Sequence, residues 1–157
     1  MIAEFPKPAW LVGCGNMAGA MVEGWRSAGI DFSGVTVIRP SGIPIEGITT
    51  VTEYPEGETP RFIMLGFKPQ KLDEVASRLA PHARRESVLV SMLAGVKADT
   101  LRQLFPNAGP VIRVMPNLPA AQRAGVIALY SDDEDHEARR LIGSLMDVLG
   151  VAHWCAD

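Results

Sequence analysis

Residues 10–21 read WLVGCGNMAGAM, with glycine at 13 and 15 and alanine at 18. A short apolar run stops at a glycine, and an apolar-periodic segment follows, NMAGAMVEGWRSAG, closed by a second glycine. That is a strand, a tight turn and a helix with a glycine stop. Gly13 allows the turn out of the strand. Gly15 leaves room for a ligand against the backbone. Ala18 lets the helix pack near the strand. The helix start would offer unpaired N–H groups and a positive dipole end, which suit a pyrophosphate. The same string can serve as a packing turn, so its context decides.

The context alternates. VTVIRP is strand-like, and RFIMLGF is another apolar run. KLDEVASRLAPHA carries Leu72, Val75, Ala76 and Leu79 on one helical face. SVLVSML reads as a strand, KADTLRQLF as a short helix starting near Asp99, and PVIRVMP and GVIALYS as strands. DEDHEARRLIGSLMDVLG is an amphipathic helix with acids at its start and Leu141, Ile142, Leu145, Met146 and Leu149 as its apolar positions. Residues 41–60 hold three prolines and three glycines without a helical period, and are expected to be irregular apart from one short strand, ITTV. Strands alternating with helices imply an α/β fold of the Rossmann type, a doubly wound, mostly parallel sheet in one domain.

Bulk properties narrow the function. A chain of 157 residues is long enough for one core. A net charge of −3 without a basic stripe argues against nucleic acid but not against one small anion. Cys14 and Cys155 lack CxxC spacing and read as apolar filler. A thiol at a helix N-terminus can have a lowered pKa, which leaves Cys14 open to test. His82, His136 and His153 are scattered, so no metal is expected. No apolar stretch reaches a membrane span, and MIAEFPKPAW lacks the pattern of a signal peptide, so a cytoplasmic location is expected.

The second strand addresses cofactor choice. An acid at its end would accept the ribose hydroxyls of NAD. VTVIRPSG offers Arg39 and Ser41 instead, which suit a phosphate and favour NADP(H), with NAD(H) possible.

Three more stretches complete a pattern: LGFKPQ at 65–70, SMLAGV at 91–96 and RVMPNLPAAQRAG at 113–125. With GCGNMAGAM they closely resemble the N-terminal domain of pyrroline-5-carboxylate reductase, the last enzyme of proline biosynthesis. The resemblance runs from about Trp10 to about Asp157. It implies NAD(P)H-dependent reduction of 1-pyrroline-5-carboxylate to L-proline. It also implies that Gly13, Cys14, Gly15, Asn16, Met17 and Ala18 hold the pyrophosphate, with Arg39, Pro40 and Ser41 beside the adenosine phosphate. Gly66, Phe67, Lys68 and Pro69 would pass along the ribose and phosphates. Leu93, Ala94 and Gly95 would lie near the nicotinamide, and Pro116 and Asn117 would border its pocket. Lys68 has the alternative of a surface lysine, and Asn117 of a side chain that caps the turn before Pro119. Leu118 stands where the family often has threonine.

The family continues into a helical domain with an SGSGPAY-like segment and a threonine-rich helix. That domain binds the substrate and makes an intertwined homodimer. The sequence stops at HWCAD, close to where that domain would begin. The last helix is therefore expected to expose apolar residues that the partner would cover. No nucleophile elbow, paired carboxylates or Ser/His/Asp arrangement stands out, so the catalytic residues are unknown. The expectation is a chain that binds cofactor and turns over poorly or not at all. Two other functions are open: a stand-alone NADP(H)-binding or sensing module, and a related imine or F420-dependent NADP reductase.

Overall fold

The first strand, β1 (Ala9–Val12), is buried along its whole length and its side chains alternate between two cores. Ala9 and Leu11 join one apolar cluster, and Trp10 and Val12 join the other. A strand covered on both faces belongs at the centre of a layered α/β domain. In the computed structural model, which describes residues 3–156, β1 lies between β2 (Val35–Ile38) and β4 (Phe62–Leu65), parallel to both.

The remaining elements are α1 (Asn16–Ser27), β3 (Thr49–Val51), α2 (Leu72–Leu79), β5 (Val88–Ser91), α3 (Ala98–Leu104), β6 (Val111–Met115), β7 (Gly125–Tyr130), α4 (His136–Asp147) and β8 (Gly150–Trp154). The eight strands run in the order β3-β2-β1-β4-β5-β6-β7-β8. All neighbours are parallel except β6 and β7. The chain builds outward from β1 to β3, then crosses back to β4. The boundary between β1 and β4 is thus the topological switch point, where open α/β sheets bind ligands beyond the carboxyl ends of their strands.

Helices α1 and α4 cover one face of the sheet. Met21, Val22 and Trp25 from α1 and Ile142, Leu145 and Met146 from α4 share one cluster. The Trp25 indole N–H donates to the Leu145 carbonyl at 2.8 Å, which satisfies the one polar atom of a fully buried side chain. Helices α2 and α3 cover the other face through Leu72, Ala76, Leu79 and Leu101. The acids expected at the start of the last helix act as a cap: Asp135 accepts from the Ala138 N–H at 3.0 Å. No helix among the described residues is long and apolar enough to cross a membrane.

Two features differ from the sequence reading. GVAHW at 150–154 forms an eighth strand, parallel to β7, that the sequence pattern does not announce. Its side chains alternate between half-buried and exposed, a pattern too weak to read at the end of a helix. Tertiary contacts hold it: the Arg139 guanidinium lies 4.8 Å from the Trp154 ring, and Cys155 N–H donates to the Leu129 carbonyl. The expected exposed apolar face of the last helix is also absent. Ile142, Leu145, Met146 and Leu149 are fully buried. The large exposed apolar residues of this half are Met115, Leu118, Val126 and Val151, with Val126 and Val151 directly paired across β7 and β8. The helix spends its apolar stripe on α1 and the sheet, so the uncovered surface lies on the sheet.

Candidate functional site

Every strand–loop junction singled out in the sequence lies along the carboxyl edge of the parallel strands. β1 hands over to Gly13–Gly15, β2 to Arg39–Ser41, β4 to Gly66–Pro69, β5 to Met92–Gly95 and β6 to Pro116 and Asn117. Three adjoining cavities follow this edge.

The central cavity, about 490 Å³, lies at the switch point. It is lined by Gly13, Cys14, Gly15, Asn16, Met17 and Ala18, by Arg39, Pro40 and Ser41, by Gly66, Phe67, Lys68 and Pro69, and by Met92 and Ala94. The glycines let two loops cross closely. Gly13 has φ +79°, and a Cβ there would fall 2.9 Å from the Phe67 Cβ and 3.1 Å from the Gly66 carbonyl. A Cβ on Gly66 would fall 3.1 Å from that of Ala18. Gly15 opens outward: a Cβ there would meet nothing nearer than the Gly66 oxygen at 3.9 Å, so its surface is left to a ligand.

The electrostatics of this cavity suit an anion. Among the described residues, none accepts from the N–H groups of Asn16, Met17 and Ala18, and the first turn of α1 carries neither an acid nor a side-chain cap. Those donors sit at the positive end of a twelve-residue helix. The Arg39 guanidinium makes one long hydrogen bond, 3.4 Å to the Ile43 carbonyl, and pairs with no carboxylate among the described residues. Lys68 is exposed at the mouth. Burial pushes the Cys14 thiol above its ordinary pKa, and the Arg39 charge offsets this only in part. The thiol therefore lacks the lowered pKa of a reactive cysteine.

On the β2 side the cleft continues into a second cavity of about 400 Å³, which shares Gly13, Pro40, Phe67 and Lys68 with the first. Its other walls come from Thr52, Tyr54, Lys71, Val75 and Arg78, among others, none of which the sequence singled out as a site residue. Tyr54 falls in the irregular stretch, where no period places it, and Arg78 reads as one more charge on an amphipathic helix. On the β6 side a third cavity, about 250 Å³, is lined by Met17, Ser91, Met92, Leu93, Ala94, Arg113, Val114, Met115 and Pro116. Arg113 is its one charged group among the described residues.

Two of the sequence-derived positions stand outside these walls. Gly95, at φ +76°, turns the chain just after Ala94. The Asn117 carboxamide oxygen accepts from the Val126 N–H at 2.9 Å, tying the turn after β6 to the start of β7.

An open parallel sheet with a glycine-lined cleft at its switch point is a Rossmann-type domain. A family model described as NADP oxidoreductase, coenzyme F420-dependent, matches residues 9–95, and the chain belongs to that family. A pyrroline-5-carboxylate reductase from Pseudomonas aeruginosa is 30% identical over 154 residues, covering 93% of this chain and 56% of that protein. The solved structure of a pyrroline-5-carboxylate reductase from Coxiella burnetii superposes with a TM-score of 0.84 at 22% identity, covering 97% of this chain and 60% of that one. The Plasmodium falciparum pyrroline carboxylate reductase with NADP bound gives 0.82 at 18% identity, covering 98% and 59%. These structural likenesses establish the shared fold. The resemblance noted in the sequence to pyrroline-5-carboxylate reductases holds, and the chain spans little more than half the length of these relatives.

Proposed function

We propose that this chain is the NADP(H)-binding part of a pyrroline-5-carboxylate reductase. The observation that carries the reading is the central cleft: three N–H groups at the start of α1, unmet among the described residues, line the same cavity as an Arg39 guanidinium that pairs with no carboxylate among those residues. The reduced cofactor, when bound, supplies the hydride that reduces the C=N bond of 1-pyrroline-5-carboxylate to give L-proline.

Each group of residues has a share in that work. Asn16, Met17 and Ala18 hold the pyrophosphate through backbone N–H groups, and Gly13 and Gly15 let it approach. Arg39, with the Ser41 hydroxyl, meets the adenosine 2′-phosphate. The β4 loop, Gly66 to Pro69, closes one wall. On the nicotinamide side Leu93, Ala94 and Pro116 supply an apolar wall that keeps water from the reacting face. That third cavity is lined by no carboxylate, imidazole or lysine among the described residues. The chain therefore binds and orients, while the groups that hold the substrate and deliver its proton come from a further helical segment and a second copy of the protein. A biosynthetic role of this kind fits a cytoplasmic location.

Two results test this reading. Replacing the guanidinium by a neutral amide, Arg39→Gln, is expected to weaken NADPH binding by about tenfold and to leave NADH within about twofold. Equal loss for both cofactors would remove Arg39 from the phosphate. The purified chain, given NADPH and 1-pyrroline-5-carboxylate, is expected to form no proline above the uncatalysed rate. Sustained proline formation would show that the chemistry needs no further segment.

A further inference from the structure

A groove of about 770 Å³ lies between α4, the segment before β1 and the turn before β7. It shares no lining residue with the three cavities along the carboxyl edge. Helix α4 gives one wall. Arg140, Ser144 and Asp147 follow one another at spacings of four and three, so they form one outward stripe of the helix, and all three are exposed. Leu141 and Val148 are half-buried beside them and add apolar surface.

Arg123 borders the groove from the turn before β7. It is the one residue other than glycine with a positive φ among the described residues, at +59°. Its Nε–H donates to the Val148 carbonyl at 2.9 Å, an acceptor that the end of α4 leaves without a helical partner. That bond holds the guanidinium at the groove. Glu4 supplies a carboxylate from the segment before β1.

The groove thus carries two cations, Arg123 and Arg140, and two anions, Glu4 and Asp147. None of the four pairs with another, or with any other charged side chain among the described residues. One Asp147 oxygen accepts from the Ala152 N–H at 3.1 Å, which fixes that carboxylate. Opposite charges that share a space without pairing can be bridged by a ligand that carries both signs. A simple anion would gain the arginines but meet the carboxylates, and a simple cation would do the reverse. A small dipolar ion satisfies both, and its aliphatic body has Leu141 and Val148 to lie against.

We propose that this groove binds a free α-amino acid, with its carboxylate on the Arg123 and Arg140 guanidiniums and its ammonium on Glu4 and Asp147. L-Proline, the product under the reading above, belongs to this class and is the natural probe. The assignment itself does not depend on that reading, because the groove uses none of the cofactor residues.

NMR titration of the purified, isotope-labelled chain without cofactor tests it. L-Proline is compared with acetate, which carries only the carboxylate, and with pyrrolidine, which carries only the cationic amine. L-Proline is expected to saturate one site with a Kd of about 1 mM, as suits exposed charge pairs, and to shift the amides of Arg123 and of the second half of α4. Acetate and pyrrolidine are each expected to bind at least about tenfold more weakly. Arg140→Gln and Glu4→Gln change exposed side chains, and each is expected to weaken L-proline about fivefold. Acetate binding as tightly as L-proline would overturn the proposal, since the groove would then be a plain anion site. Shifts centred away from Arg123 and α4 would also overturn it, as would variants that leave the affinity unchanged. So would a wild type that shows no saturation up to about 100 mM. These outcomes leave the cofactor cleft untouched, and failure of NADPH to bind there would leave the groove untouched, so the two readings fail separately.

Discussion

Gly24→Ala is expected to lower the stability of the chain by about 3 kcal/mol, with a fall in melting temperature of roughly 10 °C. Gly24 is buried on the inner face of α1, and a helical glycine there costs conformational entropy that alanine would recover. Space decides against alanine. A Cβ at this position would lie 2.2 Å from the Ala120 carbonyl oxygen and 2.7 Å from a Leu149 methyl. The first is backbone of the 3-10 turn Leu118–Gln122, and the second belongs to a fully buried side chain. The Leu149 methyl can turn aside only within a packed core, and the backbone oxygen cannot rotate away, so relief requires α1 and the Leu118–Gln122 turn to part. Gly19, on the same helix, is the control. A Cβ there meets nothing within 4 Å, and Gly19→Ala is expected to raise stability by about 0.5–1 kcal/mol. Thermal and denaturant unfolding of the two variants checks the pair. Similar changes in both would mean that α1 does not sit against that turn.

Gly13→Ala acts on function through the same kind of contact. Its φ of +79° strains an alanine by about 1–2 kcal/mol, as for any L-residue in that region. The new Cβ would also meet Phe67 and Gly66 at 2.9–3.1 Å. Relief requires the β1–α1 loop to part from the β4 loop, which moves the α1 donors away from Arg39. NADPH affinity is expected to fall about a hundredfold, equivalent to about 2.7 kcal/mol, in protein that remains folded by circular dichroism. Unchanged affinity in the folded variant would show that this crossing does not shape the site.

Much of the fold was legible because its signals are local. WLVGCGNMAGAM shows a strand, a turn and a helix within twelve letters, and the structure places β1, the Gly13 turn and α1 there. ITTV stood out from the irregular stretch as β-branched residues do, and β3 covers Thr49–Val51. β8 was not legible, because Gly150–Trp154 alternates only weakly and follows a helix with a glycine stop. What fixes it, the Arg139–Trp154 contact and pairing to β7, depends on the assembled sheet. The uncovered apolar surface was misplaced for a related reason. A helical stripe announces that something covers it but not what, and α4 spends its stripe internally.

The candidate site divides in the same way. Loop residues that follow strands come with their motifs, so the central cavity could be read almost entire. Tyr54 and Arg78 reach the cleft only after the 52–58 segment folds back onto Trp10 and α2 packs beside it. Asn117 illustrates the converse. Its motif drew it towards the cofactor, whereas its carboxamide oxygen is engaged by the Val126 N–H.

Titration of the purified wild-type chain with NADPH, and in parallel with NADH, tests the central claim most directly. Tryptophan emission is a suitable reporter, because Trp10 lies directly behind Tyr54 at the edge of the cleft. Saturable quenching, with NADPH at least tenfold tighter than NADH, is the expected result: the α1 donors hold the pyrophosphate and Arg39 holds the extra phosphate. The absence of saturation by either cofactor up to millimolar concentration would contradict it, and would reduce WLVGCGNMAGAM to a turn between two buried elements.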